Sequence, residues 1–183
     1  MIILLCGLSG AGKTTLAKKM KENLNRVEIQ TEVIDADEYR QQLFPDLKYS
    51  KEDRFENIRR LGFIASKFSN QGIVTVISAI MPYEAMRSQL INDYDDVKVV
   101  HIDCPLPILK ARDTKGLYHK AQLPDGHPER VGNLTGVNDP FEAPATPHLY
   151  INTYAHDITE CTAMLLAFIQ QERHLLNRQY IAC

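Results

Sequence analysis

The sequence predicts an α/β chain: a three-layer phosphate-loop NTPase fold, with a mainly parallel sheet between helices on both faces. Two observations carry this. Short apolar runs alternate along the chain with stretches of helical periodicity, as in parallel strands joined by crossover helices. In addition, Gly7-Leu8-Ser9-Gly10-Ala11-Gly12-Lys13-Thr14 follows directly on Ile2-Ile3-Leu4-Leu5-Cys6. A G-x-x-x-x-G-K-[ST] loop therefore stands between a strand and a helix opening at Lys13. With 183 residues, 44% of them hydrophobic, residues 1–183 suit one domain with a sizeable core.

Taken in order, the run at 2–6 is a strand rather than a signal peptide, because it lacks a cationic flank and feeds straight into the loop. Leu16, Met20 and Leu24 recur at helical spacing, and Glu32-Val33-Ile34-Asp35 is a short strand. Ser50 with Asp53 forms a capping box for a helix whose stripe is Phe55, Ile58, Leu61, Ala65 and Phe68, stopped by Gly72. Ile73-Val74-Thr75-Val76-Ile77 is β-branched throughout and reads as a central buried strand. A helix over Tyr83 to Asp93 and a strand at 97–102 follow. Pro105 then opens a helix running to Arg112. From Asp113 to Pro147 glycines and prolines break the pattern, which predicts a lid over about 113–147. A strand at 149–151 and a helix from Ile158 to Leu176 close the chain.

Charge and cysteine usage exclude several classes. Lys+Arg (21) and Asp+Glu (23) nearly balance, and no basic block marks a nucleic-acid or membrane-surface partner. No apolar run reaches transmembrane length. Cys6, Cys104, Cys161 and Cys183 are scattered, and neither they nor the six histidines show metal-ligand spacing. The pattern fits a reducing, cytoplasmic compartment.

The loop residues state their chemistry. Backbone N–H groups at Gly7, Ser9, Gly10, Ala11 and Gly12 can surround a β-phosphate only if side chains leave them room. The following helix, with Thr14 and Thr15 in its first turn, adds its positive end. Lys13 neutralises phosphate charge, and Thr14 can ligate Mg²⁺. ATP and Mg²⁺ are thus the expected co-substrate and cofactor. A switch GTPase would need a guanine-reading N/T-K-x-D motif, which is absent. Asp113-Thr114-Lys115-Gly116 matches D-x-x-G only by accident, since it falls in the lid. A small-molecule kinase remains.

Asp35-Ala36-Asp37-Glu38-Tyr39-Arg40 lies at the carboxyl edge of the second strand, where α/β proteins bind ligands. One carboxylate can take the proton of an attacking hydroxyl, while the other orients the metal's water shell. Arg40 offers a planar fork for an anion. Arg54 and Asn57 stand one turn apart near a helix start, as an anion-binding pair or as part of a solvated charged face.

The order of these motifs resembles the adenylylsulfate kinase family over nearly the whole chain. The resemblance rests on Gly7–Thr15, Asp35–Arg40, Asp53-Arg54-Phe55-Glu56-Asn57-Ile58-Arg59-Arg60, Ile80-Met81-Pro82-Tyr83, Arg112-Asp113-Thr114-Lys115-Gly116-Leu117-Tyr118 and Thr135-Gly136-Val137-Asn138-Asp139-Pro140-Phe141-Glu142. It implies transfer of the ATP γ-phosphate to the ribose 3′-hydroxyl of adenylylsulfate. Asp37 would be the general base, Lys13 and lid Arg112 would act on the ATP phosphates, and Asp35 would be the metal's partner beside Thr14. Asp37, Arg40, Arg54, Asn57, Ile80, Met81, Lys115 and Asn133 would contact the acceptor. A homodimer is the implied assembly.

Three departures bear on that expectation. Ala36 replaces the glycine of an Asp-Gly-Asp pattern. Met81 stands where the family has a serine described as a phosphoserine intermediate; direct in-line transfer does not need one. Tyr49 and Leu134 stand where two phenylalanines sandwich the acceptor adenine, and losing one stacking face would relax purine preference. The alternative readings are a relative acting on another nucleotide, such as cytidine diphosphoramidate, and a catalytically weak nucleotide-binding regulator.

Overall fold

The computed structural model describes residues 1–181. Its elements are β1 (Ile2–Cys6), α1 (Lys13–Arg26), β2 (Thr31–Asp35), α2 (Ala36–Leu43), α3 (Lys51–Ser69), β3 (Val74–Ser78), α4 (Glu84–Asp93), β4 (Val97–Asp103), α5 (Leu106–Arg112), α6 (Leu117–Ala121), β5 (Leu149–Asn152) and α7 (Ile158–Ile181). The strands form one parallel sheet in the order β2-β3-β1-β4-β5. β1 lies at the centre, and the chain departs from it to either side, so a crevice opens at its carboxyl end where ligands bind in such sheets.

The sheet is packed on both faces, and alternation along each strand decides which residue goes where. Ile3 and Leu5 of β1, Val74 and Val76 of β3, and Val100 and Ile102 of β4 meet Leu16, Met20 and Leu24 of α1 and Cys161, Leu165 and Ile169 of α7. Ile2, Leu4, Ile77, Val97 and Val99 point to the other face, against Ile58, Leu61 and Ala65 of α3 and Met86 and Leu90 of α4. Each such fully buried side chain contributes about 1.5–3 kcal/mol relative to exposure. α3 and α4 approach closely because Gly62 has no side chain: a Cβ there would sit 2.3 Å from Leu90 Cδ2.

The strands lie where the sequence places them, and α3 opens with the capping box of Ser50 and Asp53. Other elements differ from expectation. Residues 36–43, for which the sequence reading names no helix, form α2, because the Asp35 carboxylate caps its first turn. α3 ends at an Asn70 cap, before Gly72. α7 continues past Leu176 to Ile181. The 113–147 segment contains α6 and a buried stretch at Leu134 and Thr135, so it is not a structureless loop. Asp113 explains the accidental D-x-x-G match: its carboxylate accepts from the backbone N–H groups of Tyr118 (3.0 Å) and His119 (2.8 Å), capping α6. Cys6, Cys104 and Cys161 are buried free thiols, and Cys183 lies outside the described residues. Among the described residues no helix is long and apolar enough to cross a membrane.

Gly7 is the tightest backbone position. Its φ is +148°, and a Cβ would lie 2.0 Å from the Ile102 carbonyl oxygen of the neighbouring strand. Backbone cannot yield as a side-chain tip can, so Gly7→Ala is expected to cost about 4 kcal/mol or more, lowering the thermal midpoint by about 10 °C. Gly72→Ala is the control: φ is again positive at +79°, but nothing lies within 4 Å, and about 1 kcal/mol is expected. Circular-dichroism melts of the two variants check the difference.

Candidate active site

The phosphate loop turns over the carboxyl end of β1. Gly10 and Gly12 hold φ of +78° and +97°, which aims successive N–H groups inward toward the space an anion would fill. Lys13, only 8% exposed, donates through Nζ to the Gly7 carbonyl (2.9 Å) and the Leu8 carbonyl (2.8 Å). Burial brings its pKa down to about 8, despite the attraction of Asp37 and Asp35. A buried cation with that penalty is primed for an anion, since a bound phosphate removes the cost of its charge.

Parallel register places Asp35 of β2 beside Ser78 of β3, both at the carboxyl edge. Thr14 Oγ1 donates to Asp35 Oδ2 at 2.7 Å and lies 3.4 Å from Ser78 Oγ. The other Asp35 oxygen accepts from the N–H groups of Asp37 (3.0 Å) and Glu38 (3.3 Å). An all-oxygen set of one hydroxyl and one carboxylate suits a hard divalent cation that keeps waters and phosphate oxygens as its other ligands. Among the described residues no group of three or more His, Cys, Asp or Glu is placed to hold a metal ion.

Two cavities meet at Asp37. The first, of about 310 Å³, is lined by Ser9, Gly10, Gly12, Lys13, Thr14, Thr15, Asp35, Ser78, Thr114 and Lys115. The second is a narrow recess of about 50 Å³ lined by Arg40, Tyr49, Arg54, Asn57, Met81 and Met86. Asp37, Ala79 and Ile80 line both. Size does not locate the site: a larger hollow of about 760 Å³ lies at the opposite, amino-terminal edge of the sheet, far from the loop.

Within the recess Asn57 is 1% exposed, and its Oδ1 has no hydrogen-bond partner. A buried unsatisfied acceptor costs about 1–3 kcal/mol, which a donor on a ligand would recover. Asp37 Oδ2 accepts from Lys115 Nζ at 2.9 Å; both side chains are more than half exposed, so the pair is weak and opens easily. Arg40 lies over the Tyr49 ring, 4.9 Å from its centroid. Most of the predicted site residues line one cavity or both, but Gly7, Ala11, Asn133, Arg112 and Leu134 line neither, and the Gly7 N–H donates to the Ile80 carbonyl at 3.2 Å. Arg112 ends α5 and is exposed. Leu134 is packed in the core with Leu109, Tyr118 and Ala121 rather than facing the recess. Arg54 lines the recess but is already engaged. Its Nε donates to the Tyr49 carbonyl (3.0 Å), Nη1 to Thr135 Oγ1 (2.6 Å) and Nη2 to the Asn133 carbonyl (2.6 Å). Asn133 in turn donates to the Tyr49 carbonyl at 2.9 Å.

Comparison with known proteins fits this geometry. The family model described as adenylylsulphate kinase matches residues 1–152. The chain belongs to the adenylylsulphate kinase family. It is 36% identical over 169 residues to the adenylyl-sulfate kinase of Synechococcus sp. (strain JA-3-3Ab), covering 92% of this chain and 93% of that one. Identity is also 36% over 171 residues to the adenylyl-sulfate kinase of Chloroflexus aurantiacus (strain ATCC 29364 / DSM 637 / Y-400-fl), covering 93% and 89%. In three dimensions it resembles the Mycobacterium tuberculosis APS kinase CysC in complex with AMPPNP and APS. There the TM-score is 0.85 and the identity 31%, over 92% of this chain and 96% of that one.

Three further residues stand at this edge without an assigned site role in the sequence reading. Ser78 ends a β-branched run beside the loop, and that polar terminus was the available signal. Thr153 Oγ1 lies within 3.0 Å of the Ala11 carbonyl and 3.1 Å of the Asp103 carbonyl, fastening the loop to the end of β5; nothing local announces it. Tyr118 donates to the Ser9 carbonyl at 2.8 Å. Burial pushes its pKa up to about 12, so it stays a donor.

The depressed pKa of Lys13 yields a prediction with a definite sign. Below about pH 8 the free protein already carries the Lys13 proton, whereas above it a proton must be taken up on nucleotide binding. ATP affinity is expected to fall by up to about tenfold per pH unit between pH 8 and 10, and the Lys13→Met variant, weaker throughout, should lose that Lys13-linked slope. Calorimetric titration across that range checks it.

Proposed function

We propose that this chain transfers the γ-phosphoryl group of ATP to the ribose 3′-hydroxyl of adenylylsulfate, giving 3′-phosphoadenylylsulfate. The observation that carries the reading is the place of Asp37: on the wall common to the phosphate-loop cavity and the recess, between donor and acceptor. A carboxylate there can take the proton of a hydroxyl as it attacks the γ-phosphorus, a service worth about 10²–10⁴ in rate.

In this reading the triphosphate lies in the loop, where backbone N–H groups hold the β-phosphate and Lys13 turns from the Gly7 and Leu8 carbonyls onto the β- and γ-oxygens. Thr14 and Asp35 would hold Mg²⁺, which supplies charge neutralisation at the phosphate oxygens when bound. Asp35 also fixes the start of α2 and so aims Asp37. Lys115, drawn from Asp37 toward the transferred group, leaves that carboxylate free to act as base. Arg40, Tyr49, Arg54, Asn57, Ile80, Met81 and Asn133 form the acceptor side, with Asn57 Oδ1 awaiting a donor. Arg112 reaches the ATP phosphates only if the 113–147 segment closes as a lid, and Leu134 shapes the acceptor site from behind, through Asn133. The remaining elements of the reading are residues 1–183 as one kinase domain, a homodimer and a cytoplasmic location.

The deciding experiment is mass-spectrometric product analysis with Mg·ATP and adenylylsulfate, cytidine diphosphoramidate, AMP or CMP. 3′-Phosphorylated adenylylsulfate as the main product is expected; preference for the cytidine compound, or ATP binding without any product, would overturn the reading. Asp37→Ala should lower kcat by about 10²–10⁴ with ATP affinity retained. Met81→Ser should leave the rate within about twofold, because in-line transfer needs no protein phosphate.

A further inference from the structure

Arg87 is the largest fully buried side chain described, at 0% exposure, and no step above uses it. It sits on α4, one turn from Glu84, whose carboxylate accepts from both Nε and Nη2 and balances the charge. Its remaining bonds go to backbone. Nη1 donates to the Met81 carbonyl at 2.6 Å, and Nη2 to the Glu142 carbonyl at 2.6 Å. The two carbonyls belong to distant segments with distinct jobs.

Met81 lines the recess and holds φ of +49°, a left-handed conformation that a non-glycine residue adopts only when its surroundings impose it. Glu142 ends a stretch fastened to the same place from several directions. Its N–H donates to the Pro82 carbonyl (2.8 Å), its carboxylate accepts from the Glu84 N–H (2.7 Å), and Asp139 accepts from Tyr83 Oη (3.0 Å). Asp139 also lies 3.6 Å from Arg54. The planar fork of a guanidinium can span two carbonyls and a carboxylate at once; a lysine ammonium, a single point of charge, cannot match that geometry.

We propose that Arg87 is a positioning residue for the acceptor site. It holds Met81 in its strained conformation and locks the 139–142 stretch to the 80–84 turn, so that the wall of the recess and the far anchor of the 113–147 segment are one unit. The inference rests on the reading of the recess as the acceptor site. A residue acting this way should change acceptor recognition and leave the phosphate loop alone, since no bond from Arg87 reaches the loop.

The test is steady-state kinetics with Mg·ATP and adenylylsulfate, beside thermal melts, for the parent protein and four variants. Arg87→Lys is expected to raise the acceptor KM about tenfold or more with the ATP KM within about twofold. Leu165→Ala, a buried truncation on the opposite face of the sheet, controls for lost stability and should leave both KM values near the parent's. Met81→Gly adopts positive φ unaided, so adding Arg87→Lys to it should raise the acceptor KM by less than about threefold over Met81→Gly alone. Equal changes in both KM values, an effect matched by Leu165→Ala, or the full tenfold penalty persisting in the Met81→Gly background would each overturn the proposal. If the parent protein itself fails to phosphorylate adenylylsulfate, the functional reading fails first, and the same comparison is made with the acceptor that it does use.

Discussion

A single carboxylate, Asp35, organises the carboxyl edge of the sheet. One oxygen takes the Thr14 hydroxyl from the first turn of α1, and the other caps α2. The bonds are possible because parallel register brings the last residues of β2 and β3 level. If β2 slipped by one residue, Asp35 would turn to the opposite face of the sheet and lose both partners. Everything that gives Asp37 its direction follows from that register, since Asp37 lies in the turn Asp35 caps.

The charges around this edge divide into those held ready and those already committed. Lys13 is buried on two carbonyls, with its proton weakened by desolvation, and Lys115 is loosely paired in the open. Both can be redirected by a polyanion at little cost. Arg54 and Arg87 are different. Each is buried and bonded to backbone carbonyls of the 133–142 stretch, so their task is to fasten chain to chain. The segment after Asp113 therefore has an exposed tip at 122–130, beyond the core-packed α6, and a later stretch anchored under two guanidinium groups.

The five strands and the phosphate loop were legible because strand burial and glycine geometry are local signals: β-branched runs, a fixed glycine spacing and a capping box each declare themselves within a few residues. α2 was missed because its stability comes from a cap at its first residue rather than from an apolar stripe; Ala36 is its sole buried residue. Leu134 was assigned by position in a motif, yet burial against Leu109 and Tyr118 decided its direction. Arg87 and Thr153 could not be read at all. Their partners lie 55 and 142 residues away in the chain, and a hydrogen bond to a backbone carbonyl leaves no mark on the identity of the residue that accepts it.

The Val131 N–H donates to the Lys120 carbonyl at 3.1 Å and so closes a neck beneath residues 121–131. Between 122 and 130 every residue except Leu123 is exposed, and Lys120–Glu129 and Arg130–Asp125 pair on the surface. With the ends already joined, doubling such a loop adds only about 0.6 kcal/mol of closure entropy. A peptide tag or reporter inserted at Gly126 would therefore lengthen this exposed tip without reaching the carboxyl edge of the sheet.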